Sequence, residues 1–263
     1  MFINLVFLLV SFLASVVGAI CGIGGGVIIK PSLDATGVLG VSTISFLSSC
    51  TVLSMTIISV YRLFKKKDVV IDVKISTPLA IGGAVGGIVG KYLFQYAISL
   101  LPNENKVGAI QAALLVFITL GTLIYTINSK KIKTYHVTNL FLCGMIGLGL
   151  GIMSSFLGIG GGPINLVVLY YFFSMTTKQA AANSLYVILF SQATSFSSTL
   201  ISGNIPEFEW FVLILMVFGG VSGGIVGGKV NKRISNEGVE KLFTGLMLMI
   251  ILINVYNCIR FMG

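Results

Sequence analysis

Charge is what this sequence has least of. Only 10% of its 263 residues are charged, eight of them acidic, and it holds one histidine and one tryptophan. A soluble domain of this length carries about a quarter charged residues, so a water-soluble globular fold is excluded. The lone histidine, His136, has no HExxH around it, and no paired aspartates lie in an apolar segment. An intramembrane enzyme needs a nucleophile–base or metal set at depth, and neither is present in pattern. Cys21, Cys50, Cys143 and Cys258 all sit in apolar stretches without a CxxC pair. They read as buried thiols rather than disulfides or soft ligands for sulfur or metal. No GK[ST] follows a glycine run and no strand precedes one, which removes a nucleotide-binding loop. No motif calls for a cofactor or a metal.

Apolar residues fill the space that charge leaves. They make up 56% of the chain, and the mean hydropathy is +1.01. Runs of about 20 apolar residues, enough to cross some 30 Å of hydrocarbon, recur throughout, as in a polytopic membrane protein set in a lipid bilayer. The net charge of +9 sits in short loops between those runs. That is the positive-inside pattern of a cell-membrane protein, so no nucleic-acid partner is needed to explain it. The first 20 residues lack a basic leader and read as a retained membrane segment.

Two glycine patterns recur in the same order. Gly22-Ile23-Gly24-Gly25-Gly26 returns as Gly158-Ile159-Gly160-Gly161-Gly162, at a spacing of 158 − 22 = 136. The run from Gly82 to Gly90 returns as Gly219 to Gly227, at 219 − 82 = 137. The chain is therefore a duplicated unit, residues 1–128 and 136–263. Full spans are expected at 40–63, 75–100 and 107–127 in the first copy, and at 178–202, 208–228 and 242–261 in the second. The remaining stretches, 2–39 and 136–175, each hold an apolar run, a glycine break and a piece too short to span. Each reads as a re-entrant helix hairpin.

Loop charge sets the orientation. Basic residues place loops 61–74, 128–135 and 229–241 in the cytoplasm, while the weakly charged or acidic loops 101–106 and 202–209 belong outside. Loop 61–74 and its repeat partner 202–209 then lie on opposite sides. That holds if the copies are inverted, each with one hairpin and three crossings. Eight independent spans would leave the basic 229–241 loop outside. The expected fold is thus all-α, with two inverted repeats.

Inverted repeats with broken helices are a transporter architecture, with the site where the copies meet. Without side chains, Gly24, Gly25 and Gly26, and Gly160, Gly161 and Gly162, can turn backbone N–H groups toward one point. The short helices that follow add positive N-terminal ends, making an anion site with no formal charge. The runs at 82–90 and 219–227 read instead as helix-packing faces. Each hairpin is followed by a span rich in hydroxyl and amide groups. Ser48, Ser49, Asn183 and Ser184 are the candidate donors there, with Ser48 and Ser184 equivalent at the 136 offset. The competing role for such groups is helix–helix hydrogen bonding or back-bonding to the i−4 carbonyl. Asn165, just past the second glycine run, is a further candidate, opposite an apolar Ile29. Lys30 can draw anions toward the first hairpin, with Asp34 its local partner. Lys91, inside a span, is a weaker candidate, His136 carries no assignment, and Trp210 is an interface anchor.

The paired GxGGG motifs, with Pro31 and Pro163 after them, and Ala181-Ala182-Asn183-Ser184-Leu185, similar to an A-x-x-S-L pattern, resemble the TauE/SafE family of sulfite exporters. The first copy departs from that last pattern, with Leu47 opposite Asn183. The resemblance covers essentially the whole chain. It implies transport of a small inorganic or organosulfur anion such as sulfite or a sulfonate. The leading expectation is a secondary transporter working by alternating access, not an enzyme. An anion channel or a non-transporting membrane subunit are the alternatives. An inside-negative potential drives a monovalent anion outward by about 2.3 kcal/mol per 100 mV, so export needs no proton relay. No motif specifies which anion moves, in which direction, with which coupling ion, or whether the protein acts as a homo-oligomer.

Overall fold

The computed structural model describes residues 2–66, 71–101 and 103–262, and these form helices and no strand. Helix α1 (Phe2–Cys21) is followed across the first glycine break by α2 (Gly26–Asp34). Then come α3 (Val41–Lys66), α4 (Val73–Leu100) and α5 (Glu104–Asn128). The second half repeats the series as α6 (Leu140–Leu157), α7 (Pro163–Phe173), α8 (Thr177–Ser202), α9 (Trp210–Arg233) and α10 (Asn236–Met262). Among the described residues eight helices are long and apolar enough to cross a membrane, and the protein is a multi-pass membrane protein. The expected spans are all present, with α9 and α10 longer than their apolar cores because polar ends continue the helix.

Local chemistry sets the ends. Asp72 accepts from the Lys74 and Ile75 amides at the start of α4, and Asn139 does the same for Phe141 and Leu142 at α6. These side chains satisfy amides that have no partner within the helix. Residues 135–137 run alongside the end of α7, where the Tyr135 and Val137 amides donate to Tyr171 and Phe172 carbonyls. His136 is consequently exposed and outside any helix.

Helices α1 and α6, at 20 and 18 residues, are themselves long enough to cross, whereas α2 and α7 have 9 and 11. Each unit is a full helix, a break and a half-length return, because the apolar period before the glycines is uninterrupted.

Packing exchanges partners between the halves. Gly219, Gly223 and Gly227 of α9 meet the α1 backbone at Leu8, Phe12 and Val16, in that order, so the two helices run parallel. Gly82, Gly86 and Gly90 of α4 meet α6 at Gly144, Leu148 and Ile152 in the same manner. A Cβ at these positions would enter the neighbouring backbone, so both glycine runs are close-contact faces. Helix α3 packs on α9 as α8 packs on α4, α2 on α10 as α7 on α5, and α3 meets α8 at the centre.

The two ends of the bundle differ in charge. At one end Asp72 reaches Asn183, and Arg62, Lys178 and Lys232 share a cavity. At the other, Ser42 bonds Glu104, Thr43 bonds the Glu207 carbonyl, and Trp210 packs on Phe208. The basic loop ends thus gather at one end, and the 101–106 and 202–209 segments at the other.

Candidate functional site

The two glycine breaks meet each other in the core. Gly24 and Gly160 have φ of +84° and +68°, backbone that only glycine adopts without strain, and Gly24 faces the Gly160 carbonyl. Gly26 faces the Ile159 carbonyl so closely that a Cβ there would overlap it. Two side chains at the 136 offset close the contact: Val52 lies against Gly26 and Gly160, and Ile188 against Gly24 and Gly161. Both are fully buried, near the middle of the 26-residue helices α3 and α8.

The amides of the breaks are unusual. Residues Gly22 to Gly26 and Gly158 to Gly162 are all buried. Among the described residues, the N–H groups of Gly24, Gly25, Gly160, Gly161 and Gly162 donate no hydrogen bond. Buried unpaired amides are rare and costly, so these five are donors held in reserve, the Gly25 amide lying against Gly18 of α1. Gly26 differs, because its N–H donates to the Gly24 carbonyl at 2.7 Å. Its lack of a side chain permits close approach instead.

Ser48 and Ser184 are each fully buried one turn before Val52 and Ile188, and each hydroxyl oxygen is unpaired. Asn165 is 3% exposed, its Oδ1 also unpaired, beside Gly161 and Gly162 in a small cavity. Ser49 is only half-buried. Lys30 is 1% exposed, its Nζ 2.7 Å from the Asp34 carboxylate. Its Cε lies beside Gly158, so the cation of one half touches the break of the other. In this conformation its charge is neutralised locally rather than presented to solvent. Lys91 lies over the Phe94 ring at 5.2 Å, away from both breaks.

Asn183 is committed elsewhere. Its Oδ1 accepts from the Ser76 hydroxyl and the Asp72 amide, and its Nδ2 donates to the Gln179 carbonyl. It clasps α4 to α8. Asn183→Leu should lower ligand-free stability by about 1–3 kcal/mol, because Ser76 and the Asp72 amide lose their acceptor. Thermal unfolding in detergent reads this, and an unchanged melting temperature would remove the clasp.

Gln192 was visible in the sequence only as part of the polar load of α8, where a packing role was the expectation. It lies beside Gly160, 1% exposed, with Oε1 unpaired and its amide 3.5 Å from Ser154. Its 136-offset equivalent is Thr56, so repeat symmetry carried no signal for it. Ser45, against Gly158, was visible only as part of the polar load of α3. Among the described residues no cluster of His, Cys, Asp and Glu could hold a metal.

Broken helices that face one another inside an apolar bundle are the construction of membrane transporters. The family model described as "Sulfite exporter TauE/SafE" matches residues 7–254, and the chain belongs to that family of membrane transporters. It is similar to the "Probable membrane transporter protein YunE" of Bacillus subtilis (strain 168), 24% identical over 93% of this chain and 94% of the relative. No solved structure matches.

Proposed function

We propose that the protein is a secondary transporter of a small anion, a sulfur-containing oxyanion or sulfonate such as sulfite. The observation that carries this is the meeting of two glycine breaks with five buried, unpaired amides, ringed by Ser48, Ser184, Asn165 and Gln192. Such amides bind an oxyanion through hydrogen bonds without placing a formal charge in the bilayer. Ser49 and Asn183 serve at most by holding the neighbouring helices, and Lys30 by tying the first break to the second.

The halves act as inverted repeats, each a re-entrant hairpin and three crossings, with the basic loops cytoplasmic. The reciprocal packing and the segregation of basic loop ends to one end support this reading. Alternating access is then one half rocking against the other. The Gly26–Ile159 contact leaves no passage between the breaks, which favours a carrier over a channel. An anion must part the breaks to reach their amides.

Proteoliposomes loaded with radiolabelled sulfite test the reading. Efflux should be saturable, driven by an imposed potential, and competed by sulfonates more than by chloride. Ser48→Ala or Ser184→Ala alone should cut it about tenfold, the loss of one good hydrogen bond in the bound state. Unitary currents instead of saturable flux would make it a channel; no flux of any sulfur anion would remove the function.

A further inference from the structure

The two halves are built alike, yet they differ sharply at one cavity. Directly beneath the first break, where Gly22 meets Ala181, a cavity of about 60 Å³ opens between α1, α3, α8 and α9. That is roughly four times the room one water requires. Its wall carries Arg62 and Lys178, with Lys232, itself already engaged in a contact, beside them; among the described residues no carboxylate lines it. Arg62 is held in place by one donation to the Ile225 carbonyl at 2.7 Å, leaving the rest of its guanidinium fork for other acceptors. Lys178 stands in the first turn of α8, where the helix end itself favours an anion.

The equivalent place in the other half is packed instead. The small Ala182 is replaced there by Phe46, which is buried and lies 5.2 Å from Phe208 and 6.2 Å from Phe196. Asn231 is replaced by Phe94, and Arg62, Lys178 and Lys232 by Ser198, Ser42 and Gln95. The one cation gained there, Lys91 in place of Gly228, covers the Phe94 ring. A cavity that only accommodated helix packing would need no cations. Arg62 and Lys178, around space kept open by alanine and glycine, supply the chemistry of an anion site.

We propose that this cavity is a loading site for a small oxyanion, held by Arg62 and Lys178, at the end of the bundle that bears the basic loops. It rests on the transport reading for its purpose but not for its existence. The site would gather the anion one step before the glycine amides, since Ala181 in its wall packs against Gly22 of the first break.

Ala182→Cys in the full chain, purified in detergent, provides the test, with the slow background of the native cysteines subtracted. Two methanethiosulfonate reagents of like size are compared, one ending in sulfonate and one in trimethylammonium. The anionic reagent should react about tenfold faster, and Lys178→Gln should remove most of that bias, because nearby cations raise the local anion concentration. Added sulfite should slow the anionic reagent. Lys178 is a half-exposed side chain, so its variant keeps the fold where an Arg62 change could break a helix contact. Equal rates with the two reagents, or a bias that survives Lys178→Gln, overturns the site even in a protein that moves sulfite. A biased cavity in a protein that moves no anion keeps the site and removes the transport reading.

Discussion

Asp34→Ala should destabilise the protein by about 3–5 kcal/mol, the cost of leaving a buried cation without its partner. Lys30 and Asp34 are 1% and 6% exposed and form a single contact at 2.7 Å, one turn apart on α2. The surroundings offer little compensation. Asp34 Oδ1 is unpaired, and Arg260 donates to the Asp34 backbone carbonyl rather than to its carboxylate. Removing the carboxylate leaves an ammonium against Gly158 with no anion to meet it. Replacing both, as Lys30→Met with Asp34→Leu, should recover most of the loss, because a well-packed apolar pair avoids burying charge altogether. Thermal unfolding of the wild type, Asp34→Ala and the double variant reads both effects. If Asp34→Ala is no worse than the double variant, the pair is hydrated and holds nothing. Transport by the stable double variant separates the two roles of Lys30. Retained sulfite flux makes the pair a strut between the halves, and lost flux places Lys30 on the anion's path.

The second large effect is expected at Gly26. Gly26→Ala builds a Cβ onto the carbonyl of Ile159, with Val52 Cγ2 at 2.8 Å on the other side. The first obstacle is backbone in the opposite break, so relief requires the breaks to separate. Overpacking of this kind costs about 1–3 kcal/mol. Here it should also abolish the closed arrangement, and with it most of the flux. Gly245→Ala is the matched control, since it lies inside α10 with open space around it. It should be neutral or stabilising by up to about 1 kcal/mol through helix propensity. A Gly26→Ala protein that melts and transports like the wild type would show that the breaks never touch in the working cycle.

Much of this was legible in the chain because it is local. A glycine run that interrupts an apolar helix ends it wherever it occurs, so the breaks before Gly26 and Pro163 and the short returns after them needed no tertiary information. The 136-residue repeat pairs Ser48 with Ser184, and both sit one turn before the side chains that close the central contact. Loop charge anticipated which helix ends gather together. The membrane class followed from the scarcity of charge alone, because an apolar run of span length has few other places to go.

What depended on the tertiary structure is long-range. The 82–90 glycines could be assigned to packing, but not to α6 of the other half, because no local rule names a partner many residues away. Asn183 and Gln192 show the same limit in opposite directions. One amide carries a family-like motif yet is saturated as a clasp by Ser76 and Asp72, while the other, opposite a threonine in the repeat, lies beside Gly160. Sequence alone determined where the helices break and that the two halves match. Only the folded chain decided which halves touch, and that the space walled by Arg62 and Lys178 stays open while its twin is filled by Phe46. The reason is physical: helix breaks are set within a few residues, whereas a cavity exists only where side chains from several helices fail to fill the room between them.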